Sequence, residues 1–99
     1  MVIVGGTFEV DPSQREQFLA DRVAMMRASR AEPGCIEYTF AADPVEPGRI
    51  VLYERWESQE ALDAHLVVVR SGPQPSPAVQ PISSSIAIYD IKGERKLGH

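Results

Sequence analysis

Ile50-Val-Leu-Tyr-Glu-Arg-Trp-Glu-Ser-Gln-Glu-Ala-Leu-Asp-Ala-His65 runs a strand pattern straight into a capped helix, with the only Trp of the chain at the junction. Side chains alternate in an extended segment, so Ile50, Leu52, Glu54 and Trp56 share one face while Val51, Tyr53 and Arg55 share the other. Glu54 and Trp56 are therefore neighbours. Ser58 is placed to cap the following helix, with Glu60 beside the positive end of its dipole. From there Ala61, Leu62, His65, Leu66 and Val69 recur at helical spacing, which sets His65 inside an apolar stripe. An imidazole brought under a sheet beside a Trp either serves a pocket or is a buried residue bonded to a backbone carbonyl.

Upstream, Val2 to Val10 reads as a first strand, with a bulge or a close backbone approach expected at Gly5-Gly6. The strand pattern continues through Thr7 to Val10, so these glycines do not open a phosphate-binding helix. Asp11-Pro12-Ser13-Gln14 supplies an N-cap, a Pro at the first helical position and a Gln three residues after the cap. A helix is expected from here to the stop at Glu32-Pro33-Gly34, burying Phe18, Leu19, Arg22, Val23 and Met26. Cys35 to Ala42 reads as a second strand with Ile36, Tyr38 and Phe40 on one face, and Asp43 to Gly48 as a turn too long for a two-residue hairpin.

Ile50 to Trp56 is then the third strand and about Gln59 to Arg70 the second helix. Ser71 to Pro77 packs three prolines and a glycine into seven residues, which ends that helix in a loop or flap. About Ser83 to Ile91 is a fourth strand. The order strand, helix, strand, strand, helix, strand predicts an α+β, ferredoxin-like βαββαβ fold in which helices cover one face of a four-stranded antiparallel sheet. Residues 1–91 are read as a single domain and 92–99 as a polar tail, poorly ordered unless a partner holds it. The uncovered face, carrying Ile3 with Thr7 or their alternates, predicts a homodimer formed sheet to sheet.

Ninety-nine residues, 43% hydrophobic and 24% charged, suit one core and leave no room for separate cofactor and substrate domains. With 14 acidic against 10 basic side chains, the surface repels a polyphosphate, so no nucleic-acid partner is expected. The longest apolar run, Leu66 to Val69, is too short to cross a bilayer, and residues 1–10 lack the pattern of a secretory signal, which leaves the cytoplasm as the expected location. A lone Cys35 agrees with a reducing compartment and reads as a small buried hydrophobe. Neither a metal-ligand set nor a Ser, His, Asp constellation converges.

Two stretches, Arg30-Ala-Glu-Pro-Gly-Cys-Ile-Glu-Tyr38 and Leu52-Tyr-Glu-Arg-Trp56 with Ala61-Leu62 and His65, together with the element order, resemble the antibiotic biosynthesis monooxygenase family of dimeric ferredoxin-like α+β barrels. The resemblance spans about residues 2 to 91. It implies oxygenation of electron-rich phenols, quinols or anthrone-like polyketide intermediates by dioxygen, with no metal, flavin or haem, in a pocket between sheet and helices. Some family oxygenases carry an Asn four residues before the Trp and a Tyr six after it, where this chain has Leu52 and Leu62. Many relatives have a second His five residues after the first, where Arg70 stands here, and a short helix in place of Gly72 to Pro81. The Asn on strand one and the further His of haem-degrading relatives have no counterpart.

Of the family's functional residues, Trp56 and His65 carry over and are the catalytic candidates, His65 as proton acceptor and Trp56 as a flat ring with an indole N–H. Tyr38, Tyr53, Glu54 and Leu62 are the substrate-binding candidates, the two tyrosines as donors and Glu54 as a group that orients His65 or a partner's Arg, or is simply a paired buried carboxylate. The alternative is a catalytically silent dimer that binds a small apolar ligand or a protein partner. A closed apolar pocket reached by His65 and Trp56 favours the enzyme, and a pocket filled by core side chains favours the alternative.

Overall fold

A computed structural model describes residues 1–72 and 79–98. The chain runs through β1 (Val2–Glu9), a 3-10 turn (Pro12–Gln14), α1 (Arg15–Ala20), α2 (Val23–Arg30), β2 (Cys35–Ala42), β3 (Arg49–Trp56), α3 (Gln59–Ser71) and β4 (Ser83–Asp90). All strand pairs are antiparallel and the sheet order is β2-β3-β1-β4, the ferredoxin-like arrangement expected. The expected Pro-rich flap falls mostly on residues 73–78, outside the described residues.

Alternation decides what each strand buries. Tyr38, Phe40, Ile50, Leu52, Glu54, Trp56, Val2 and Val4 face the helices and are buried, with Phe18 and Leu62 closing the core from above. Phe18, Phe8 and Phe40 form a ring cluster with centroids 5.6 to 6.3 Å apart at its centre. Ile3, Thr7, Val51, Tyr53, Arg55 and Tyr89 stand on the opposite face, as the pairings Ile3 with Arg55 and Tyr89 and Thr7 with Val51 require.

Several expectations need correction. β1 keeps its register with both neighbours through Gly5-Gly6, so it carries no bulge; the glycine serves a close approach, because a Cβ on Gly6 would run into the Ser85 carbonyl oxygen. The bulge lies in β2 instead, where the pairing shifts between Cys35 and Glu37 and takes Ile36 out of the row formed by Tyr38 and Phe40.

The single first helix is two. Arg22 N–H bonds the Leu19 carbonyl, while the Phe18 carbonyl, its α-helical partner, accepts from Arg22 Nη1 at 3.0 Å. The guanidinium lies over the Phe18 ring, 3.4 Å from its centroid. This side-chain capture interrupts the ladder at Asp21-Arg22 and turns Met25, Met26 and Ser29 inward, leaving Val23 41% exposed rather than buried.

Helix cover is also narrower than expected. Every residue of β4 is exposed, including Ile86 and Ile88 on the helix side of the sheet beside Gly6 and Val4. After β4 the described residues form no regular element, and Glu94 pairs with Lys96 at 3.1 Å and approaches Arg55 at 3.9 Å.

Candidate functional site

β3 delivers Glu54 and Trp56 to the buried face one pleat apart, and the indole N–H of Trp56 donates to Glu54 Oε1 at 3.0 Å. Tyr38 is directly opposite Glu54 on β2. α3 begins where Ser58 Oγ accepts from the Ala61 N–H at 3.1 Å, and about two turns later it lowers His65 onto this group. The His65 ring sits 4.7 Å from Trp56 and 5.3 Å from Tyr38, centroid to centroid. His65 Nε2 points at Glu54 Oε1 across 4.0 Å, beyond hydrogen-bond distance.

The other ring nitrogen meets a residue that the sequence reading passed over as part of a helix stop. Glu32 Oε2 lies 2.6 Å from His65 Nδ1. The link carrying Glu32 is pinned at Gly34, which adopts φ +83° and accepts from the Glu57 N–H at 2.8 Å; a Cβ there would come within 2.6 Å of the Ala61 Cβ. The sequence marks Glu32 only as an acidic residue just past a helix C-terminus, where the dipole disfavours it, and nothing in that points to His65.

Burial governs the electrostatics. It pushes the Glu54 carboxyl above its ordinary value, against the opposing pull of the Trp56 N–H and of His65. Burial first, and the Glu54 charge second, push the Tyr38 phenol well above the ordinary tyrosine range, so it stays protonated and its hydroxyl donates to Met25 Sδ at 3.2 Å.

An open cleft of about 400 Å³ lies between the Glu32-Pro33-Gly34 link and the first turns of α3, lined by Ala61, Ala64, His65 and Val68 with Glu32, Glu57 and Glu60. Trp56 is fully buried behind His65 and does not line this cleft. Leu62 is likewise a core residue. Tyr53 is on the opposite face of the sheet, because it alternates with Glu54, and belongs to no contact of this cluster. The sequence candidates that come together are thus His65, Trp56, Glu54 and Tyr38, joined by Glu32. Among the described residues no group of His, Cys, Asp and Glu side chains could hold a metal ion. No described helix is long and apolar enough to cross a membrane.

Comparison with known proteins places the chain in a family. The model of the antibiotic biosynthesis monooxygenase family matches residues 1–67, and the chain belongs to that family. It is 38% identical over 64 residues to an uncharacterised protein of Synechocystis, a match covering 65% of this chain and 44% of that protein's length. It is 29% identical over 65 residues to YcnE, a proposed monooxygenase of Bacillus subtilis, covering 66% of this chain and 68% of YcnE. A crystal structure of a family protein from Deinococcus radiodurans superposes over 100% of both chains with a TM-score of 0.82 at 23% identity, a likeness of fold.

Proposed function

We propose that this protein is a cofactor-independent oxygenase of a small electron-rich aromatic, a quinol, phenol or anthrone-like compound, working as a homodimer joined through the open sheet face. The observation that carries the reading is an imidazole bonded to the Glu32 carboxylate at 2.6 Å at the edge of an open cleft; a closed apolar pocket shared by His65 and Trp56 is not found among the described residues. Family membership supports the monooxygenase class.

The chemistry asks little of the protein. A phenol or anthrone that loses its proton to His65 becomes an electron donor strong enough to reduce dioxygen directly, so its own carbanion or phenolate is the reductant. For an anthrone the balance is a ring CH₂ and O₂ giving a ring carbonyl and water. His65 takes the first proton and the adjacent carboxylate stabilises the imidazolium. A single free thiol at Cys35 suits a reducing compartment, and the cytoplasm is the location proposed.

The test is oxygen uptake by metal-stripped protein with a panel of hydroquinones and anthrones, beside folded His65→Ala and the autoxidation blank. Uptake above blank that His65→Ala loses supports the proposal; uptake that survives in the variant removes His65 from the chemistry. A second reading, a silent dimer that binds a small ligand or a protein, draws on a different observation: Trp56, Phe18 and Leu62 fill the space between sheet and helices. Failure of every substrate to exceed the blank favours it.

A further inference from the structure

We infer that Glu32 is the positioning residue of the site: it fixes His65 in the tautomer that carries the proton on Nδ1 and leaves Nε2 as the basic nitrogen. The significance of that tautomer for catalysis rests on the oxygenase reading, whereas the tautomer itself does not.

The backbone holds Glu32 firmly. Its N–H donates to the Ser29 carbonyl at 3.0 Å and its own carbonyl accepts from Cys35 N–H at 3.2 Å, while Gly34 ties the same link to the start of α3. The Glu32 side chain is 20% exposed and that of His65 3%, so the contact between them is largely out of water. A carboxylate can only accept, and at 2.6 Å a bare Nδ1 would set lone pair against lone pair. Nδ1 therefore carries hydrogen, and the neutral ring keeps its lone pair on Nε2.

The remaining neighbours reinforce this assignment. Glu54 Oε1 already accepts from the Trp56 indole and stands 4.0 Å from Nε2, too far to demand a second proton there. The Tyr38 hydroxyl donates to Met25 Sδ and has the Ser29 side chain as its other polar partner. When Nε2 takes a proton, the positive charge that develops is already facing the Glu32 carboxylate, with no reorganisation at that moment. A carboxylate bonded to one ring nitrogen is a recurring way to fix the tautomer of a histidine.

The experiment is long-range ¹H–¹⁵N correlation on the full chain labelled in histidine, with His65 assigned by the His65→Ala spectrum and the pH set where the ring is neutral. The wild type is expected to show the Nδ1–H pattern. Glu32→Ala is expected to shift it toward the Nε2–H pattern that free imidazoles prefer, and Glu32→Gln, which keeps an accepting oxygen, to retain Nδ1–H. An Nε2–H pattern in the wild type, or identical patterns in wild type and a folded Glu32→Ala, overturns the inference. If Glu32→Ala does not fold, the wild-type pattern alone decides.

Oxygen uptake is run on the same samples. Loss of about tenfold or more in Glu32→Ala, with partial recovery in Glu32→Asp, is expected. Full activity in a Glu32→Ala whose tautomer has changed overturns the positioning role. Absence of uptake in the wild type removes the oxygenase reading and leaves the tautomer assignment to the spectra.

Discussion

His65 Nδ1 stands 2.6 Å from Glu32 Oε2, although 33 residues separate them in the chain. Two independently anchored links meet there: the one after α2, held at Gly34, and α3, started by Ser58. A hydrogen bond to a charged group is worth about 1.5–3 kcal/mol when largely desolvated. Glu32→Ala and His65→Ala are each expected to lower the unfolding free energy by about that amount, and the double variant by clearly less than the sum. Urea unfolding of the four proteins checks it. Additive losses would mean that the pair contributes no coupling.

Glu54 makes a pH prediction of definite sign. Its folded value is raised by burial above the ordinary 4.5, so between the two values the native state binds more protons than the unfolded chain. The burden of ionising it is absent below the ordinary value and grows as pH rises through the folded one, which lowers stability. Glu54→Gln keeps the acceptor for Trp56 Nε1 and removes the buried charge. The stability of the Gln variant relative to wild type is expected to be greater at about pH 7 than at about pH 4, by urea unfolding at both. A difference that does not change with pH would show that the carboxyl is not perturbed.

Tyr38 stays protonated for the same reason. Its phenolate would be buried and would face the Glu54 charge, so ionisation belongs well above the ordinary tyrosine range. The phenolate absorbance of wild type minus Tyr38→Phe, followed against pH, isolates this one group. The expected difference signal is absent through the ordinary range and rises only with alkaline unfolding. A difference signal within the ordinary range would place the hydroxyl in water.

Much of this was legible from residues 50–65. The alternation from Ile50 to Trp56 and the Ser58 cap fall where the sequence puts them, and they bring Glu54, Trp56 and His65 to one side. The same alternation sends Tyr53 to the other face, so its proximity in sequence to Glu54 carries no proximity in space. The break after α1 was hidden because no Gly or Pro marks it. It comes from Arg22 taking the Phe18 carbonyl with its own side chain, and that choice depends on the ring beneath it. Glu32 was hidden for a related reason: periodicity reports which way a side chain points along one element, and this contact joins two elements.

The open sheet face yields the last prediction. Val51 and Tyr89 are 40% and 57% exposed there, with Ile3 and Thr7 on the strand between them. On the same face Arg55 Nε is buried with no hydrogen-bond partner among the described residues, although Arg55 Nη1 approaches Glu94 at 3.9 Å. That nitrogen is already covered within the single chain, so it is the exposed apolar side chains of the face, not Arg55 Nε, that argue for pairing. The wild type is expected to sediment as a dimer at micromolar concentration. Val51→Lys sets a charge in the middle of β3's outer face, where it has little to disturb in the single chain and a desolvated charge to bury on pairing. That variant is expected to sediment as a folded monomer, with its far-UV spectrum unchanged. A wild type that is already monomeric would remove the dimer, and a Val51→Lys that remains dimeric would move the interface off this face, for which the uncovered side of β4 at Ile86 and Ile88 offers another apolar surface.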